Sequence, residues 1–131
     1  QFQRWDKLLW NISYNVVSVL AGGADTRMMG KNTDPGKVCS VLMDELVSVA
    51  NGCGIALSRK DAERQIEYNE TFPAYKTSML QDFEAHRPLE IEPILGNVLR
   101  LAEKHAIPVP TIAACYHLLR ALDEKNRVKN I

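Results

Sequence analysis

Three observations in the sequence predict an all-α fold. Apolar residues recur at three- and four-residue spacing through several long segments. Helix start and stop signals bound those segments. No stretch alternates apolar and polar side chains as a half-buried strand would. At 131 residues the chain is one domain, residues 1–131, large enough to bury a core. The expected architecture is a compact bundle of about five or six helices.

The first helix is expected over about Arg4 to Leu20, with Leu8, Ile12, Val16 and Val19 on one stripe, widened by Leu9 and Leu20. Ala21-Gly22-Gly23 supplies its stop, and Thr26 to Asp34 is polar and breaker-rich. Asp34-Pro35 reads as an N-cap followed by proline at the first helical position. Val38, Val41, Leu42, Leu46 and Val49 carry that helix to Gly52 and Gly54. Ser58 and Asp61 have capping-box spacing for a helix over about Arg59 to Asn69. A short helix follows around Ser78 to Glu84, and His86-Arg-Pro88 breaks it. Ile91, Ile94, Leu95, Val98, Leu99 and Ala102 form the next stripe, with Pro93 tolerable only in the first turn. Thr111 is the expected cap of a last helix through Leu122, and the charged tail from Asp123 to Ile131 is expected to fray.

Composition narrows the function classes. Lys+Arg number 16 and Asp+Glu 16, so the chain lacks the broad basic field of a nucleic-acid binder or a polybasic membrane patch. No apolar run approaches the ~20 residues of a membrane span, and no signal-peptide pattern opens the chain. Cys39, Cys53 and Cys115 are few and widely spaced, which points to a reducing, cytoplasmic setting rather than a disulfide framework. Cys115 and His117 have no second cluster to complete a metal site, so none is expected. Gly52-Cys-Gly54 begins like a dinucleotide fingerprint, but Leu57 stands at the third glycine position and no strand precedes it. The chain opens on Gln-Phe-Gln-Arg-Trp without an initiator methionine or a leading strand, which reads as a cut at a domain boundary.

The residues that invite a functional reading lie in the first helix. Lys7, Asn11 and Asn15 recur at four-residue intervals in an otherwise apolar segment, so an α-helix projects them from one face. One ammonium and two carboxamides in a row suit an oxygen-rich small molecule, because amides orient it and a lysine neutralises or protonates a developing oxyanion. Core satisfaction is the competing reading, with the Asn side chains serving loop backbone and Lys7 reaching out from the helix end. A second group comprises Ser78, Asp82 and Glu90. Those three also read as a cap, a partner for Arg87 and a first-turn acid.

Taken together, the two groups resemble the C-terminal domain of the ketopantoate reductase family. The resemblance rests on Trp5, Lys7, Leu8, Asn11 and Asn15, then Ser78-Met79 and Asp82, then Arg87-Pro88, Glu90-Ile91, Gly96 and Ile107-Pro108-Val109-Pro110, in order and with fitting separations. It covers nearly the whole chain, from Trp5 to about Leu122. It implies a partner domain preceding Gln1, an N-terminal Rossmann domain that binds NADPH, with the 2-oxo acid substrate between the two domains. It implies Lys7 as general acid, Asn11, Asn15 and Ser78 as substrate contacts, and Glu90 at the cofactor–substrate junction. Asp82 matches a recurrent family acid, read here as structural. Glu90 is expected beside Lys7, fixing the direction of its amine.

The sequence departs from the family pattern in three places. Leu89 replaces a hydroxyl residue and is expected to loosen the setting of Glu90, and Glu92-Pro93 replaces an acidic residue without proline. Ala106 stands at a helix-ending glycine, at a cost in stability if φ there is positive. Two alternatives stay open: a paralogue reducing another 2-oxo acid, and a non-catalytic helical interaction module. A homodimer is compatible with either.

Overall fold

The structure is a computed structural model and describes residues 1–128. The described residues are helical with no strand, in the order α1 (Phe2–Trp10), a π turn (Asn11–Asn15), α2 (Val16–Leu20), a 3₁₀ turn (Thr26–Met29), α3 (Asp34–Gly52), α4 (Arg59–Thr71), α5 (Ser78–Glu84), a second π turn (Glu92–Gly96), α6 (Asn97–Lys104) and α7 (Pro110–Val128). Each π turn continues without a break into the helix after it, and the first also continues α1. The bundle therefore has six rods, as the periodicity predicts.

The first rod is the hub and touches each of the other five. Its residues 12–19 are all buried, which suits a helix apolar on most sides. Leu9, Ile12 and Val16 meet Leu42, Leu46, Leu95, Ile112 and Leu119 in the core. The two buried serines of this rod bond to its own backbone. Ser13 Oγ donates to the Leu9 carbonyl at 2.5 Å, and Ser18 Oγ donates to the Asn15 carbonyl at 2.8 Å. Such back-bonding helps a helix accommodate a π turn, whose wider ring disturbs the regular i→i+4 ladder.

Several helix ends follow the sequence expectation. The first rod stops at Leu20, and Gly22 and Gly23 follow with φ of 86° and 103°. Ser58 N–H donates to Asp61 at 2.9 Å, closing the capping box of α4. Pro93 sits in the opening turn of its helix. Ala106 does take φ 55°, at the end of α6.

Other ends are corrected. The cap of α3 is Thr33, not Asp34, with its Oγ1 accepting from Gly36 N–H at 3.0 Å. Thr77, not Ser78, caps α5. Thr111 does not cap α7. Its N–H and that of Ile112 donate instead to the Glu45 carboxylate of α3, at 3.1 and 2.9 Å. The last helix does not stop at Leu122 but runs to Val128. Asp123 and Asn126 are buried and accept from Leu89 N–H at 3.2 Å and donate to the Phe83 carbonyl at 2.7 Å, respectively. Residues 129–131 of the tail expected to fray lie outside the described residues.

Candidate active site

The two π turns face each other across the bundle, and a cavity of about 310 Å³ lies beside them. Asn11 and Asn15 come from the first π turn, Pro93 and Ile94 from the second, Ser78 and Asp82 from α5, and Glu90 from the segment between. Residues from three separate stretches of sequence therefore converge on one space, including four of the five expected site residues.

Hydrogen bonds set their orientation. Asn15, 4% exposed, donates from Nδ2 to Asn11 Oδ1 at 2.9 Å. Its own Oδ1 accepts from Ser78 Oγ at 3.5 Å. Among the described residues these bonds leave both hydrogens of Asn11 Nδ2 and one of Asn15 Nδ2 unengaged. The wider π turn also corrects the row itself. In a pure α-helix, residues four apart drift by about 40° per step, whereas the wider turn holds more residues per revolution and turns Asn15 back towards Asn11.

Lys7 is exposed and stands one turn before Asn11. It lines a neighbouring hollow of about 450 Å³ with Asp6, Trp10 and Gln65, and Asn11 forms the wall shared by both spaces. Trp10 stacks nearly parallel to Tyr75, with ring centroids 6.4 Å apart, giving that hollow an aromatic side. The structure does not place Glu90 against Lys7. Among the described residues neither forms a salt bridge. Asp82 is engaged by Arg87, whose Nε donates at 2.9 Å.

Glu90 is set from the core side. Leu89 is buried and its N–H is held by Asp123, so a packed side chain anchors the position before Glu90 in place of a hydroxyl. The second π turn is braced in turn by Glu92, which accepts from Tyr116 Oη at 2.6 Å and from Arg100 at 3.3 Å. The Tyr116 hydrogen bond, aided by Arg100, holds the Glu92 carboxyl below its usual range. A Cβ at Gly96 would overlap the Glu92 carboxylate, so glycine lets that side chain lie flat across the turn.

A larger hollow of about 640 Å³ opens between α3 and α4, lined by Tyr14, Lys37 and Arg59 among others. Its arginine is already engaged, since Arg59 pairs with Asp44 at 2.6 Å and Glu63 at 3.9 Å. The cavity at the π turns, with its aligned amides and hydroxyl, is the better chemical candidate. Among the described residues, no group of three His, Cys, Asp or Glu is placed to hold a metal ion, and no helix is long and apolar enough to cross a membrane.

The family whose description is "Ketopantoate reductase PanE/ApbA C terminal" matches residues 1–123. The chain belongs to that family. A 2-dehydropantoate 2-reductase of Nostoc sp. is 35% identical over 124 residues, covering 95% of this chain and 39% of that protein. The crystal structure of 2-dehydropantoate 2-reductase from Methylococcus capsulatus superposes with a TM-score of 0.88 at 36% identity, over 95% of this chain and 43% of that one. A ketopantoate reductase from Staphylococcus aureus, described as dimeric, gives 0.84 at 28% identity, over 93% and 43% of the two chains. The chain thus spans about two fifths of the length of these relatives, and its fold is that of the ketopantoate reductase C-terminal domain.

Sequence reasoning missed Ser18 and Thr77, two buried hydroxyls behind the cavity. Thr77 carried a local signal, as a capping residue immediately before the helix that bears Ser78. Ser18 carried none, because its partner is 59 residues away.

Proposed function

We propose that this chain is the substrate-holding half of an NADPH-dependent 2-oxo acid reductase that converts ketopantoate to pantoate, in the cytoplasmic supply of pantothenate and coenzyme A. The observation that carries this reading is the convergence of Asn11, Asn15, Ser78 and Glu90 on one cavity, with Lys7 one helical turn from its edge.

The groups present suit a reduced nicotinamide cofactor on the open side. Lys7 and Glu90 are exposed there without ionic partners among the described residues, and the indole of Trp10 offers a flat apolar wall. No glycine-rich loop cradles phosphates among the described residues, and the dinucleotide is assigned to a separate N-terminal Rossmann domain. When bound, NADPH supplies the hydride. Everything else falls to the residues of this chain.

The Asn11 amide binds one oxygen of the 2-oxo acid, and the Ser78 hydroxyl turns its single hydrogen from the long 3.5 Å contact with Asn15 to another, which orients the carbonyl towards Lys7. As the carbonyl carbon is reduced, its oxygen gains negative charge, and the Lys7 ammonium donates a proton to it, giving the hydroxyl of the product. Glu90 at the junction positions the cofactor edge against the substrate. The amides also discriminate, because a ligand without matching oxygens leaves them unpaired.

The test is Lys7→Ala in the full-length protein, assayed with a panel of 2-oxo acids. Turnover is expected to fall by roughly 10²–10⁴-fold while NADPH binding survives. Near-normal turnover in that variant would refute the assignment. A best substrate other than ketopantoate would move the reading to a sister activity.

A further inference from the structure

We infer that Ser18 and Thr77 are positioning residues that set the spacing between Asn15 and Ser78, and hence the fit of the substrate's oxygens. This inference rests on the reading of the cavity as the substrate site.

The two hydroxyls lie 2.6 Å apart, and both residues are fully buried at 0% exposure. The neighbouring bonds argue for one direction of the proton between them. Ser18 Oγ has one hydrogen and donates it to the Asn15 carbonyl at 2.8 Å. Thr77 must therefore be the donor in the contact with Ser18. The oxygen of Thr77 accepts in turn from Leu80 N–H at 3.2 Å, as the cap of α5. The result is a one-way relay from the first turn of α5 to the backbone of the π turn.

That relay and the site share the same two anchor points. Asn15 offers two carbonyls: the backbone one takes the relay, and the side-chain one accepts from Ser78 Oγ. At the other end, Thr77 adjoins Ser78 in sequence, so any movement of the cap moves the Ser78 hydroxyl. Buried hydroxyls have no water to turn to, and a relay with all donors and acceptors used has one low-energy geometry. The neighbouring contacts are apolar, with Met79 and Leu80 buried on the same turn. Apolar packing resists sliding poorly compared with directional bonds. Beside the long 3.5 Å contact of Ser78 with Asn15, the 2.6 Å relay is the shorter directional link between the two elements.

The experiment uses the intact reductase and measures KM and kcat for the 2-oxo acid, cofactor affinity and melting temperature. The variants are Thr77→Val, Thr77→Ser, Ser18→Ala, Ser78→Ala and the Ser18→Ala/Ser78→Ala double variant. Thr77→Val nearly conserves volume but ends the relay, and it is expected to raise KM by roughly tenfold to a hundredfold with cofactor affinity unchanged. Thr77→Ser keeps the hydroxyl and should restore a wild-type KM. Ser18→Ala should raise KM in the wild-type background yet add nothing once Ser78 is gone, because it acts through Ser78. If Thr77→Val does not fold, Ser18→Ala, which leaves the cap in place, decides by the same reading.

A wild-type KM in a folded Thr77→Val or Ser18→Ala protein, with Ser78→Ala impaired, overturns the positioning role alone. Independent, multiplying effects of Ser18→Ala and Ser78→Ala overturn it too. An unimpaired Ser78→Ala protein instead overturns the substrate site itself.

Discussion

Ala106→Gly should stabilise this protein, although it removes a methyl group. Ala106 follows α6 with φ 55°, inside a complete Schellman motif. Ile107 N–H donates to the Ala102 carbonyl at 2.8 Å, and Ala106 N–H donates to that of Glu103 at 3.2 Å. The motif requires the left-handed conformation, where a Cβ costs about 1–2 kcal/mol. Glycine removes that cost but gives the unfolded chain more freedom, worth about 0.4–1 kcal/mol in the other direction. The balance is a gain of about 0.5–1 kcal/mol, or a rise in Tm of about 2–4 °C for a domain of this size. Thermal unfolding followed by far-UV circular dichroism measures it, with Ala106→Val as the opposite control, since a β-branched residue at this φ should lower Tm. An Ala106→Gly protein that melts at or below the wild-type temperature would refute the reasoning.

Two further outcomes follow from the helix ends. Glu45→Ala removes the carboxylate that accepts from Thr111 and Ile112 N–H and should cost about 2 kcal/mol in urea unfolding, with Glu45→Gln intermediate; equal stability of all three proteins would show that water replaces the cap at no cost. Burial pushes the Asp61 carboxyl up, but Arg64 and the Ser58 backbone and hydroxyl outweigh it, leaving it below its usual range. A lowered folded pKa stabilises above the unfolded value, about 3.9, and the contribution is lost as pH falls through the folded one. The stability advantage of wild type over Asp61→Asn should therefore be flat above about pH 5 and shrink as the pH drops below about 4; an advantage that persists unchanged to the acid limit would contradict this origin.

Local sequence signals located the helices far better than their ends. Stripes, glycine stops, a capping box and proline breaks located the six rods, α5 only as a short turn, because all of these signals are written in neighbouring residues. The cap of α7 was illegible because its acceptor, Glu45, comes from another helix 66 residues away. The last turns of α7 were illegible for a similar reason: Asp123 and Asn126 look solvent-bound in sequence, but α5 and the Leu89 segment bury them. At the site, the four-residue spacing revealed the Lys7–Asn11–Asn15 row, and the likeness to a family joined Ser78 and Glu90 to it. The π turns left no trace in the periodicity, since one widened turn leaves both flanking stripes intact. The expected Lys7–Glu90 contact failed because the two residues border adjoining hollows, with Asn11 between them.

The π turns bear on why a cavity exists at this place at all. Helices pack by seating the ridges of one into the grooves of another, which demands a constant pitch on both surfaces. A π turn is a phase slip in that pattern, one extra residue that rotates everything after it by about 100°. Where two such slips oppose each other, as Asn11–Asn15 and Glu92–Gly96 do, the ridges cannot mesh and a gap is left between otherwise well-filled rods. The cavity is then a dislocation in the packing lattice rather than a hole left by small side chains. Deleting a single residue from either π turn is expected to restore the regular α-helical pitch there and to narrow the cavity.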